Sequence, residues 1–462
     1  MKITNQARIA ITSSGVTASI ALLLSYSNER SSIQNQSDCE SLPKVATKSI
    51  SRSTSTSTST STSISKPKQS YLFYDTHMFH PNQSMEYGQL ANTSSVKHFQ
   101  IHNMEISVCV VQNQRAYQED SWIAMGCYSP TNTNLNTNIR SLWKHRWFGK
   151  QRKTKQHLSM WKNMSIFGVF DGHGGDMCSK YATMNFERIL DDEMYKLEER
   201  MTEHTSNIFV SNFLSKSIQR LLEKTILEVD RSFLSLQQQE RERERARVIE
   251  GARTGAGAYT NVSLDDLDTM YQSGSTAVIV AIHPDSNQII CSNVGDSRAI
   301  LISESEIIPL SHDHSPDLRP DEVDRIEKLG GIVQSNPMES AYALTMGIRA
   351  CPRIYQKNGV VGGLNMTRAL GDDYLKPLVI PDPETELVER TEEKGFLVLA
   401  SDGIWDVMSN EEVANVIRKN VENLSPSQFV QSCALKLVKQ AQKNGVQDNI
   451  TCMVIQLPLQ KK

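Results

Sequence analysis

Apolar residues fall along this chain in short runs, interrupted by two polar residues at most and separated by polar stretches, and in three places they recur at helical spacing. The runs at 106–111, 166–170, 277–282, 289–294, 396–400 and 450–457 are five to eight residues long and rich in branched side chains, so they predict strands. Phe209, Phe213, Ile218, Leu222, Ile226, Val229 and Phe233 return every three to five residues, predicting a helix that continues into the alternating charges of 240–247. The same spacing over 413–417 and 429–441 predicts two more helices. Strands of hairpin length interspersed with helices indicate an α+β domain whose helices cover mainly antiparallel sheets.

The pattern is absent from residues 1–100, which read as an N-terminal tail. Residues 9–26 form an uncharged run of eighteen, long enough for a membrane anchor or a targeting segment but diluted by Thr12, Ser13, Ser14, Gly15, Thr17 and Ser19. Between 47 and 65, fifteen of nineteen residues are Ser or Thr, a tract from which no core can be built, so a solvated linker is expected. Folded sequence is expected from Ile101, as one domain over 101–460. Its length suggests surface insertions rather than a second core.

Composition is ordinary, at 39% hydrophobic and 22% charged, which excludes collagen-like, wholly disordered and multi-span membrane proteins. The formal net charge of −3 conceals an uneven distribution: residues 1–100 sum to +4 and the remainder to −7. Within that remainder, 129–164 holds eight Lys or Arg and no acid, together with Trp143, Trp147 and Trp161. An acidic body therefore carries one basic, tryptophan-bearing segment. The eight cysteines are dispersed, with no Cys-x-x-Cys, so buried reduced thiols are expected rather than a disulfide partner or a thiolate metal site.

Acids stand at the ends of several predicted strands. Asp171 closes 166–170, Asp402 follows 396–400, and Asp448 precedes 450–457. Unpaired carboxylates converging on one sheet edge repel strongly unless cations neutralise them, so a metal site is the economical reading, against the alternative of turn formers and helix caps. Oxygen ligands without thiolate favour magnesium or manganese. Two such ions about 4 Å apart can support a phosphoryl displacement. Phe170-Asp171-Gly172-His173-Gly174-Gly175 adds a glycine that lets backbone approach an ion and a histidine able to donate a proton.

These residues belong to a longer series. Arg115-Ala-Tyr-Gln-Glu119-Asp120, Asp171-Gly-His-Gly-Gly, Gly274-Ser-Thr-Ala277, Asn293-Val-Gly-Asp-Ser-Arg298, Thr367-Arg-Ala-Leu-Gly-Asp372, Ser401-Asp-Gly-Ile-Trp-Asp406 and Asp448-Asn-Ile-Thr451 stand in one order across 110–455. In these seven motifs the chain resembles the metal-dependent Ser/Thr protein phosphatases of type 2C, the PPM family. The resemblance implies a four-layer α/β/β/α sandwich of two antiparallel sheets flanked by helices. It implies a serine/threonine phosphatase acting on phosphoprotein substrates in signalling, with two Mg2+ or Mn2+ ions per subunit and a third in some members. Asp171, Asp402 and Asp448 match direct metal ligands, assisted by the carbonyl of Gly172, while Glu119 (through water) and Asp120 also match the metal site. Asp296 and Asp406 match the outer ligands of the third ion. Arg115 matches the group that grips the substrate phosphate, and His173 the general acid; the implied reaction is in-line attack by a metal-bridging hydroxide.

The chain departs from that family in two insertions, 128–164 and 336–363. The first could be a site for an acidic protein or anionic lipid, or a loop lying on the acidic body. The second enlarges the segment expected to flank the site, where substrate choice could reside. A monomer is expected, facing the cytoplasm, or anchored in a membrane or directed to an organelle through residues 1–30. A non-catalytic binding protein and a phosphatase of small metabolites are the rival functions.

Overall fold

The computed structural model describes residues 71–74, 94–101, 104–126, 164–202, 210–254, 272–283, 288–335, 340–341, 345, 351–357, 363–390, 395–421 and 426–458. The expected anchor or targeting run at 9–26, the Ser/Thr tract, nearly all of the basic insertion and most of the 336–363 insertion lie outside these residues.

In chain order the strands and helices are β1 (Tyr71–Tyr74), β2 (Ser94–Ile101), β3 (Met104–Val111), β4 (Ser121–Gly126), β5 (Ser165–Phe170), β6 (Gly172–His173), α1 (Met177–Thr202), α2 (Val210–Thr254), β7 (Gly274–Ser275), β8 (Ala277–Ile282), β9 (Gln288–Val294), β10 (Arg298–Ile302) and β11 (Ile307–Pro309). They continue with α3 (Pro320–Lys328), β12 (Ile332–Gln334), β13 (Arg353–Tyr355), β14 (Leu370–Gly371), β15 (Glu384–Glu389), β16 (Gly395–Ala400), α4 (Asp402–Trp405), α5 (Asn410–Val421), α6 (Pro426–Lys443) and β17 (Ile450–Leu457). Two six-stranded antiparallel sheets dominate, one in the order β1-β4-β5-β8-β9-β15 and the other β11-β10-β16-β17-β3-β2.

Alternation along each central strand sends its side chains into two different cores. In β5, Phe167 and Val169 face the other sheet while Ile166 and Phe170 face helices; in β8, Val278, Val280 and Ile282 point inward and Ala277, Ile279 and Ala281 outward. The inner layer joins Trp122, Phe167, Val280, Leu397, Leu399 and Met453 across the two sheets. Helix α1 lays Cys178, Ala182, Phe186, Leu190 and Met194 at four-residue spacing against the first sheet, alongside Ile218, Leu222, Ile226, Val229 and Phe233 of α2. On the second sheet α4, α5 and α6 bury Ile404, Val413, Ile417, Leu437 and Val438. The layers are thus the expected α/β/β/α sandwich. Full burial on both faces is why these strands carry unbroken apolar runs rather than an apolar/polar alternation.

Two parts of the expectation change. Strand β1 and all of β2 but its last residue lie N-terminal to Ile101, so sheet structure begins earlier than the apolar pattern indicates. The β2 sequence Ser-Ser-Val-Lys-His-Phe-Gln-Ile is that of an edge strand, with Val96 44% exposed and Phe99 stacked on Trp122 at 5.8 Å. The charged segment from 240 remains helical through Thr254, supported by i,i+3 pairs between Glu240 and Arg243 and between Glu244 and Arg247.

Between α3 and β15 a buried ionic network ties the chain flanking the second insertion to the sandwich. Glu322 of α3 accepts hydrogen bonds from Arg368 Nη2 at 2.8 Å and Nε at 3.1 Å and from Arg325 Nη2 at 2.9 Å. Arg325 also donates to the carbonyls of Leu378 and Thr367, and Arg368 to that of Asp382. Burial opposes the charged form of Glu322, but the two guanidiniums prevail and hold its pKa below the ordinary value. Removing the carboxylate leaves part-buried Arg325 with carbonyl partners only and Arg368 with Glu384 as its one carboxylate. Glu322→Ala is expected to lower unfolding stability by about 3 kcal/mol, read as a shift in urea midpoint; a shift below about 1 kcal/mol would show the network to be dispensable.

Candidate metal and phosphate site

The predicted acids converge where strands of both sheets end. Asp171 leaves β5, Asp402 opens α4 directly after β16 and Ser401, Asp448 enters β17, and Glu119 and Asp120 lead into β4. Asp296 lies in the turn between β9 and β10, and Asp406 directly follows α4. Chain segments more than 300 residues apart thereby share one charged cluster.

The electrostatics record that convergence. Burial, followed by the charges of Asp120, Asp402, Asp448 and Asp296, pushes Asp171 well above the ordinary carboxylate range. Asp402 is driven up in the same way, by burial and then by Asp406, Asp296, Asp448 and Asp120. Asp120 and Asp296 rise to about 7, in both cases chiefly through burial. Glu119 is also raised by burial, against the hydrogen bond from the Gly175 N–H (2.7 Å) and the positive charges of Arg115 and His173.

Polar neighbours hold these like charges in place. Asn449 is the central staple: its Nδ2 donates to the carbonyls of Gln112 (2.8 Å) and Tyr117 (3.0 Å), its Oδ1 accepts the Glu119 N–H (2.8 Å), and its own N–H donates to Asp448 Oδ1 (2.7 Å). Ser401 Oγ donates to Asp120 Oδ2 at 3.1 Å and accepts the Thr451 N–H at 3.0 Å. Gly172 packs so tightly on the 119 backbone that a Cβ would lie 2.4 Å from the Glu119 carbonyl oxygen, so only glycine fits there. Arg115, half exposed, donates from Nη2 to Asp448 Oδ2.

The donor set fits hard divalent cations. Oδ1 of Asp120, Asp296 and Asp402 are buried without a hydrogen-bond partner, and all the converging groups are oxygen donors. Among the described residues, however, no three acidic, imidazole or thiol groups already stand in metal-ligand geometry.

His173 stands beside this cluster, its Nε2 hydrogen-bonded to Oδ2 of the fully buried Asp372 at 2.8 Å. Burial of the ring disfavours its charged form, but Asp372, together with the charges of Asp296 and Glu119, outweighs burial and raises the pKa above the ordinary histidine value. The structure thus brings together all ten residues singled out in the sequence. It adds Asn449, Ser401 and Asp372, which lie inside the same motifs but whose roles depend on distant partners.

A family model described as protein phosphatase 2C matches residues 194–450, over half of the chain. The chain belongs to the protein phosphatase 2C family. Protein phosphatase 2C 7 of Arabidopsis thaliana is 32% identical over 311 residues, covering 64% of this chain and 53% of the relative. Protein phosphatase 2C 53 of Oryza sativa subsp. japonica is 33% identical over 317 residues, covering 64% and 60%. The chain thus spans little more than half the length of these relatives. A solved serine-threonine phosphatase 2C from Toxoplasma gondii aligns with a TM-score of 0.48 at 18% identity, over 79% of this chain and 99% of that one. In this phosphatase 2C chain the model match begins at residue 194, beyond the basic insertion, whereas Arg115, Glu119, Asp120, Asp171, Gly172 and His173 precede it. Their place in the site rests on the geometry above.

The raised carboxylates set the sign of a pH effect. Folded Asp120 and Asp296 retain protons near pH 7 that the unfolded chain has already lost, so stability falls as pH rises through that region. In chelator, unfolding stability should rise by about 1–3 kcal/mol between about pH 8 and about pH 6, followed as melting temperature. Saturating Mn2+ should remove the trend, because bound cations replace the protons; a chelated protein that is more stable at the higher pH would contradict the electrostatic reading.

Proposed function

We propose that the chain is a metal-dependent protein serine/threonine phosphatase. The observation that carries this reading is the set of buried, mutually repelling carboxylates gathered from four strand ends beside an arginine and a histidine. Asp171, Asp402 and Asp448, with the Gly172 carbonyl and with Glu119 and Asp120, would hold two Mg2+ or Mn2+ ions; Asp296 and Asp406 would serve a third. Bound there, such ions would neutralise phosphate charge and lower the pKa of water.

The chain's own residues supply the rest. Arg115, permanently charged and planar, is suited to two oxygens of a phosphate once it leaves Asp448. Its pairing is half exposed, where an exposed ion pair is worth only about 0–1 kcal/mol, so exchange for a substrate phosphate costs little. His173 holds a proton that can pass to the departing seryl or threonyl oxygen. Asn449 and Ser401 keep the acids in register while partners change. Substrate choice is assigned to the enlarged 336–363 segment, and any acidic-protein or anionic-lipid contact to the basic insertion.

Purified protein should dephosphorylate a phosphothreonine peptide with added Mn2+ and lose that activity in chelator, and Asp402→Asn should lower kcat on the order of 10²- to 10³-fold. Turnover that persists in chelator, or none with metal, would refute the reading. Preference for a free phosphorylated metabolite over the peptide would redirect it to a small-molecule phosphatase.

A further inference from the structure

His173 and Asp372 are 199 residues apart and meet through a three-stranded sheet of two-residue strands in the order β14-β7-β6. His173 pairs with Gly274 on one side of β7, and Gly371 pairs with Gly274 on the other. The two side chains therefore close over Gly274. A Cβ at that position would stand 2.3 Å from His173 Nε2 and 2.2 Å from Asp372 Oδ2, inside the hydrogen bond itself, so the contact exists only because residue 274 has no side chain.

Asp372 is held from behind. Its backbone is left-handed, at φ 49°, and the preceding Gly371 N–H donates to Asp230 Oδ1 of α2 at 2.7 Å. Asp230 in turn pairs with Lys376 at 3.3 Å. The Asp372 side chain is fully buried, and Oδ2 is the oxygen it gives to the ring. With Nε2 engaged, Nδ1 is the remaining ring nitrogen, buried and without a hydrogen-bond partner.

We propose that Asp372 is the positioning residue of His173: it fixes Nε2 as a donor and so makes Nδ1 the nitrogen that delivers the proton, with Gly274 leaving room for the hydrogen bond. This rests on the phosphatase reading above. In the step concerned, a hydroxide derived from water forms the new P–O bond, the P–O bond to the alcohol breaks with its electron pair on the seryl or threonyl oxygen, and the Nδ1 proton moves to that oxygen. Neutral imidazole remains, its Nε2–H still donated to Asp372, and it regains a proton from solvent. An orienting carboxylate of this kind acts on kcat rather than on substrate binding.

The test uses full-length protein, with a phosphothreonine peptide, phenyl phosphate and dinitrophenyl phosphate as substrates in Mn2+. Asp372→Asn should lower kcat on the peptide about 10²-fold at similar KM, with the loss shrinking to a few-fold on dinitrophenyl phosphate, whose leaving group needs little protonation. His173→Ala should show the same gradient, and the double variant no further loss. Gly274→Ala should follow Asp372→Asn. An equal loss on every substrate, or none, would overturn the proposal. Independently of turnover, long-range 1H–15N spectra of the metal-free protein, recorded at a pH where the ring is neutral, should show the one remaining His173 proton on Nε2, and its redistribution between the nitrogens in Asp372→Asn. A wild-type ring already exchanging between tautomers would overturn the proposal even if the protein proves inactive, whereas an inactive wild type with a fixed tautomer would count against the phosphatase reading alone.

Discussion

Repulsion among buried carboxylates is the constraint around which the molecule is arranged. Asp120, Asp296, Asp402 and Asp448 each raise the proton affinity of others, and burial removes the water that would screen them. On flexible loops such groups would move apart. Here they end or precede strands locked by hydrogen-bond ladders in two sheets, whose inner faces share a dry layer of Trp122, Phe167, Val280, Leu399 and Met453. A close-packed interior resists the displacement that would relieve the charge. The sandwich thus stores an electrostatic cost at its rim, and a divalent cation is the species that would release it.

Legibility in the sequence followed burial. Strands covered on both faces, such as β5, β8 and β16, announce themselves as unbroken apolar runs because each alternate residue enters a core. Strand β15, Glu-Thr-Glu-Leu-Val-Glu at a sheet edge, carries no such signal, and neither do the two-residue strands that join His173 to Asp372. The acids at strand ends were readable because charge beside an apolar run is anomalous. Asn449 and Ser401 were not, since an uncharged polar residue shows its role only when its partners are in place, and those of Asn449 lie more than 300 residues upstream.

Arginine and carboxylate are used in two different ways. Around Glu322 the carboxylate is buried and accepts from two guanidiniums, which also reach backbone carbonyls. Arg115 and Asp448 are 51% and 32% exposed, so water can replace either partner. The first arrangement fixes the chain on both sides of residues 336–363. The second leaves its arginine available to an incoming anion and its aspartate to a cation.

Proton handling and cation holding pull against each other, and the small sheet resolves the conflict. A histidine next to a site for divalent cations experiences their positive field, which favours the neutral ring and weakens it as an acid. His173 adjoins Gly172 and Asp171, so sequence alone places it within that field. A carboxylate from the opposite strand, 2.8 Å from Nε2 and fully buried, acts in the other direction at shorter range and in a medium where water cannot screen it. The anion acts within hydrogen-bond range of the ring, where its field is strongest. That requires the anion to arrive from outside the acidic cluster, on a strand of its own, across a residue with no side chain, which is the arrangement that β6, Gly274 and Asp372 provide.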